Sequence, residues 1–228
     1  MIISDKYKFI FIKVPRTSST TIENHFIDLL DLSNYVLDGR PDRLLAAEAW
    51  TDSDIKSPFH SFELKTHTKA KEAKKLIPKN IWDNYYKCAF IRNPWDWVAS
   101  QFCWNFWMGP KYRHRVPSHG EFNGEGADQI IGLLRGNCAN GEEIQNQHAF
   151  LHDEEGNLLV DFVGKFEDRN SGLQHILKTI GGPSESAGAH LLRTPNSDID
   201  YQNFYTGEAR RKVDKAFAKD ITTLGYKF

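Results

Sequence analysis

Apolar residues run together in three stretches and recur with a helical period in several others, a pattern that predicts an α/β protein. Phe9 to Val14 reads Phe-Ile-Phe-Ile-Lys-Val, apolar on both faces as a parallel strand covered by helices requires, and is expected to lie centrally. From Thr20 the period changes: Ile22, Phe26, Leu29 and Leu30 share one helical face, and Thr20-Thr21-Ile22-Glu23 has the form of a capping box. Tyr86 to Ile91 is a second strand, followed by Asn93 as a cap and Pro94 in the first helical position. A third strand, Leu158 to Phe166, leads into a helix from Asp168 that Gly181-Gly182-Pro183 stops. A helix over 69–77, capped by Thr66 or Thr68, ends at Pro78, and shorter ones fall at 44–50, 81–85, 127–134 and 142–151. The last helix opens at Thr206 and turns Val213, Phe217 and Leu224 inward, whereas His190 to Tyr205 reads as irregular.

The helix from Trp95 to about Met108 is crowded with rings: Trp97, Phe102, Trp104, Phe106 and Trp107 cover most of its circumference. Core packing is the default use of such spacing, and lining a substrate cleft is the alternative. The chain has 228 residues, 40% of them hydrophobic, with no Gly/Ser linker or long charge run to divide it. One domain over residues 1–228 is therefore expected. A net charge of −1 argues against a general nucleic-acid binder. Cys88, Cys103 and Cys138 lack the spacing of a zinc site and read as reduced thiols of a cytoplasmic protein. No apolar leader precedes the first strand and no run of eighteen apolar residues exists, so neither secretion nor a membrane anchor is expected.

The chemistry concentrates where strands give way to helices. Pro15-Arg16-Thr17-Ser18-Ser19-Thr20-Thr21 places a cation and five consecutive hydroxyls at a helix start, where free backbone N–H groups suit a phosphate or sulfate. Ser and Thr also cap helices that bind nothing, but an Arg immediately before them adds little to a cap. The loop lacks the glycines and the Lys-Ser/Thr pair of GxxxxGK[ST], which disfavours an ATPase, a GTPase or a nucleotide kinase. Arg92 ends the second strand, beside the first loop if the two strands are parallel, and Ser100 lies two turns into the helix that follows. Arg92 has two candidate uses, an anion ligand or an ion pair with Asp96. Lys111, Arg113 and Arg115 lie in a long polar connection suited to an acidic substrate or simply to solvent. His60 and His67 sit in a polar segment ahead of the second strand.

These motifs resemble the sulfotransferases that use 3′-phosphoadenosine-5′-phosphosulfate (PAPS), above all the Golgi-type carbohydrate enzymes and their bacterial relatives. Residues 14–21 are similar to the family's 5′-phosphosulfate loop, usually Pro-Lys-Thr-Gly-Gly-Thr-Thr or a Ser-rich variant, and Phe90 to Asp96 with Ser100 resembles its 3′-phosphate motif. Val163 to Asp168, the tail from Tyr201 to Phe228, and the short segment His190 to Thr194 resemble further family segments. The resemblance implies a three-layer, P-loop-NTPase-like fold with a central parallel sheet. It implies PAPS as donor, adenosine 3′,5′-bisphosphate (PAP) as product and no metal. Arg16 to Thr21, Arg92, Ser100, Arg193 and Thr194 would be the cofactor ligands. Arg16 would be the catalytic cation, standing where the family commonly has Lys, with His67, or else His60, as the base. The acceptor would be a hydroxyl compound, a saccharide in the nearest branch; the rival readings are a P-loop-type nucleotide kinase, against which the missing Lys argues, and a sulfotransferase-like binding protein without turnover. The family's stretch near Asp198 is often basic, so the match thins out after Thr194.

Overall fold

The buried strand Phe9–Ile12 (β2) is the middle one of a five-stranded sheet ordered Tyr35–Leu37 (β3), Ile2–Ser4 (β1), β2, Tyr86–Ile91 (β4), Phe162–Lys165 (β5). The computed structural model describes residues 1–29, 35–37, 67–108, 122–136, 145–183 and 200–228. β2, β4 and β5 run parallel, with Ile12 opposite Ala89 and Ile91 opposite Lys165. β1 pairs antiparallel with both β2 and β3. The sheet is therefore mostly parallel, as expected of its centre, with an antiparallel pair of strands added at one side. Only four residues separate β1 from β2, too few for a crossover and enough for a hairpin. Lys8 closes that turn at φ 51° with its ammonium 2.8 Å from Asp5.

The chain packs as two units, Met1–Ile91 with Phe150–Leu192, and Arg92–Ala149 with Arg193–Phe228. In the first, the helix Ser19–Leu29 (α1) and the helix Arg169–Thr179 (α7) cover one face of the sheet. Phe9, Phe11, Cys88 and Phe90 from the strands meet Ile22 and Phe26 of α1 there, with Leu173, Ile176 and Leu177 of α7. Phe11 sits edge-on to both Phe26, at 5.5 Å, and Phe90, at 6.4 Å. Burial holds the Cys88 thiol well above its ordinary pKa, so it is an inert core group. Gly164 and Gly172 are required by Phe90: a Cβ on either would stand 2.5 or 2.7 Å from its ring. On the opposite face the Lys87 ammonium lies over the Trp82 ring and donates to the Trp82 carbonyl, tying the helix Lys79–Asn84 (α3) to β4. Ala70–Leu76 (α2) precedes α3; its cap is Lys69 rather than Thr66 or Thr68, with Glu72 reaching back to the Lys69 N–H.

The third strand is shorter than the apolar run from Leu158 suggests. Asp161 interrupts the run and hooks the start of β5 onto β4, its carboxylate accepting from the Lys87 N–H at 2.7 Å and pairing with the ammonium at 2.9 Å. A 3₁₀ turn, Phe166–Asp168, precedes α7, and Gly181, at φ 67°, follows its end.

The second unit is helical around an aromatic core. Pro94–Met108 (α4), Gly124–Gly136 (α5), Gly207–Ala216 (α9) and Ala218–Leu224 (α10) enclose Trp97, Phe102, Phe122, Phe204, Tyr205 and Phe217. Trp97 and Phe102 of the aromatic helix serve the core, whereas Trp104 is exposed. The terminal helix breaks in two at Phe217, and Leu224 is only half buried. Tyr201–Phe204 (α8), in a stretch expected to be irregular, is a short helix capped by Asp200. His148–Leu151 (α6) completes the described elements. No helix among the described residues is long and apolar enough to cross a membrane.

Candidate functional site

The first strand end is a strained loop rather than a simple cap. Helix α1 starts at Ser19, and Arg16 and Ser18 both stand in the left-handed region, at φ 60° and 58°, on either side of Thr17, whose φ is not positive. Alternation of that kind turns successive N–H groups toward one point, a concavity suited to an oxyanion. Holding non-glycine residues there costs about 1–2 kcal/mol each. The hydroxyls divide by orientation. Thr17 is fully buried and donates to the Val14 carbonyl at 2.9 Å, which closes the loop; Ser19 is buried; Ser18, Thr20 and Thr21 are half exposed, as is Arg16. The helix already runs from Ser19, so Thr20 is its second residue rather than its cap, and the Glu23 carboxylate takes up a long-range partner.

It meets Lys13. The Lys13 ammonium lies 2.7 Å from Glu23 and both side chains are wholly buried, so an ion pair fastens the end of β2 to α1 beneath the loop. The Lys13 carbonyl is in turn hydrogen-bonded to Nδ1 of His67 at 2.9 Å. A carbonyl only accepts, so Nδ1 donates and the neutral imidazole carries its lone pair on Nε2. His67 is thus held within two residues of Pro15 through Nδ1. Since the family loop has Gly where Ser18 stands, Ser18→Gly is expected to stabilise the protein by about 0.5–1 kcal/mol in urea denaturation. Relief at φ 58° outweighs the extra unfolded-state entropy of glycine.

The second strand end shows what the Arg-Asn-Pro-Trp-Asp block does. Arg92 Nε and Nη2 donate to the two Asp96 oxygens at 2.6 and 2.7 Å, so the ion-pair use of Arg92 is real. That fork takes two of five guanidinium hydrogens and sets the plane of the group. Ser100 lies one turn beyond Asp96 on the same face of α4. Asn93 Oδ1 caps α4 through the Trp95 and Asp96 N–H groups, while its amide donates to the Lys227 carbonyl and the Tyr201 hydroxyl. Trp95 donates its indole N–H to Asp214 at 2.7 Å and stacks edge-on with Phe228. Most of the block therefore builds the second unit, and its chemical weight falls on Arg92. Because β2 and β4 are parallel neighbours, their carboxyl ends lie on one edge of the sheet.

Arg92 is itself held. Its N–H donates to Gln147 Oε1 at 2.8 Å and its carbonyl accepts from Gln147 Nε2 at 2.7 Å. The N–H groups of Gln147 and His148 donate to the two oxygens of Asp220, at 2.9 and 2.8 Å. Asp220 is fully buried, and burial pushes its carboxyl up to about 6 against the pull of those two donors. Lys13, Gln147 and Asp220 were passed over in the sequence and Glu23 was read only as a capping residue, since nothing local marks a buried polar residue as special. His60, Lys111, Arg113, Arg115, Arg193 and Thr194, with Cys138 and the helix expected at 44–50, lie outside the described residues. No group of three or more His, Cys, Asp or Glu that could hold a metal occurs among the described residues.

The chain belongs to the sulfotransferase family, whose model matches residues 1–227. That membership makes it a transferase and supports sulfuryl transfer as its chemistry. No curated protein matches it.

Proposed function

We propose that this protein moves the sulfuryl group of PAPS to a hydroxyl of a carbohydrate acceptor, using a single P-loop-NTPase-like domain. The observation that carries the reading is the left-handed pair at Arg16 and Ser18, a concavity of N–H groups at the end of a strand whose parallel neighbour runs directly into Arg92. The nucleotide supplies a sulfuryl group already activated by its mixed anhydride with phosphate. The residues fit such a ligand: the loop from Arg16 to Thr21 offers N–H groups and the hydroxyls of Ser18, Thr20 and Thr21 to a 5′-phosphosulfate. Thr17, whose hydroxyl hydrogen is committed to Val14, contributes through its backbone. Arg92 and Ser100 face a 3′-phosphate, and Arg193 and Thr194 extend that set. Arg16 neutralises the oxygen on which charge gathers as the S–O bond breaks, so positioning and electrostatics carry the catalysis, as in phosphoryl transfer. Nε2 of His67 accepts the proton of the attacking hydroxyl. Lys111, Arg113 and Arg115 are assigned to the acceptor's own charge.

Transfer of radiolabelled sulfate from PAPS to a panel of saccharides tests this with His67→Asn, whose amide retains a donor for the Lys13 carbonyl but presents no base. A fall in kcat of about 10²–10⁴-fold, with native circular dichroism, is expected. Full activity in that variant would remove His67 from the proton transfer and pass the role to His60.

A further inference from the structure

The β4 ladder with β5 ends at Ile91, and the next peptide, that of Arg92, is hydrogen-bonded instead by one side chain. The Gln147 amide takes both groups, accepting from the Arg92 N–H at 2.8 Å and donating to the Arg92 carbonyl at 2.7 Å, in the manner of a strand partner. Gln147 is wholly buried, and its backbone is fixed in turn because its N–H donates to Asp220, also wholly buried. An extended peptide needs both groups satisfied to stay where it is when water is excluded. The Arg92 side chain is then set by a second contact, the fork with Asp96. Backbone and guanidinium are thus oriented from two directions. The second of these, Asp96, lies in the same turn of chain and would follow Arg92 if its peptide moved; Gln147, fifty-five residues away, would not.

We infer that Gln147 is the positioning residue for Arg92, setting the enzyme's preference for a nucleotide that bears a 3′-phosphate, with Asp220 as its anchor. This rests on the reading of Arg92 as the 3′-phosphate ligand. Nothing in the sequence marks Gln147 or Asp220 for that work, and neither needs to touch the nucleotide.

The test compares affinities for PAP and adenosine 5′-phosphate, which differ only in the 3′-phosphate, by calorimetry on the full chain. Gln147→Met fills the same volume without either bond, and Gln147→Glu keeps the acceptor but not the donor. In both, the ratio of the two affinities is expected to fall about tenfold, with adenosine 5′-phosphate binding changed less than twofold. In an Arg92→Ala background the Gln147 changes should have no further effect on the ratio. A folded variant that keeps the wild-type ratio, or loses affinity for both nucleotides equally, overturns the inference. Failure of both variants to fold does so too, because it makes Gln147 a structural residue alone. A wild-type protein that does not distinguish the two nucleotides would instead sink the assignment of Arg92.

Discussion

Arg16→Ala is expected to lower sulfuryl transfer from PAPS by about a thousandfold or more, with the fold retained by circular dichroism. The transferred group is loosely bonded in the transition state, so charge accumulates on the oxygen that leaves with the nucleotide, and a cation aimed there is felt mainly at that moment. The loss should therefore fall on kcat, with PAP affinity much less affected. Arg16→Lys is the informative companion. It keeps the charge, and the family commonly has Lys at this position, so activity within about tenfold of wild type is expected; the remaining difference reports what a planar fork offers over an ammonium. Because Arg16 stands at φ 60°, neither substitution relieves backbone strain, and stability should hardly change. An unaltered rate in Arg16→Ala would end the catalytic role of the loop.

The second large effect is on stability. Glu23→Leu or Lys13→Met leaves one charge of a wholly buried pair without its counter-charge, and about 3–5 kcal/mol of stability should be lost in either case. The double variant Lys13→Met with Glu23→Leu exchanges the pair for apolar groups of similar volume. It should recover most of the loss, since desolvating two ions offsets much of their attraction. Urea denaturation of the three variants and wild type completes a double-mutant cycle, in which strongly non-additive losses are expected. Single variants within 1 kcal/mol of wild type would show that the pair does not hold β2 to α1. The pair lies directly beneath residues 14–18, so the recovered double variant also asks whether the loop keeps its shape once its charged support is gone.

How much could be read in advance follows from the range of the forces. β4 was legible to the residue, because its six residues, apolar but for Lys87, end at an Arg and the Asn93-Pro94 start signal is local. β2 and its central place were legible for the same reason: only a strand covered on both faces tolerates Phe-Ile-Phe-Ile. β1 and β3 were not, since three residues each carry no period, and their pairing is dictated by a hairpin and by the sheet already present. The loop was legible as chemistry but not as geometry. Its hydroxyls are visible in the sequence, yet nothing there says that Ser18 takes a glycine's conformation or that Thr17 turns inward. Glu23 was read as half of a capping box when a lysine ten residues earlier claims it. The Arg-Asn-Pro-Trp-Asp block was the strongest sign of the family, and Asn93, Trp95 and Asp96 carry it largely for structural reasons. Gln147 and Asp220 stayed hidden because contacts across fifty-five and seventy-three residues leave no trace in a local pattern.

The most direct measurement is calorimetric titration of the metal-free protein with adenosine 3′,5′-bisphosphate and, separately, with ADP. Tight binding of the bisphosphate, weakened at least tenfold in ADP and insensitive to added magnesium, is the predicted result. Binding of ADP as tightly as the bisphosphate, or only in the presence of magnesium, would contradict the donor assigned to this fold.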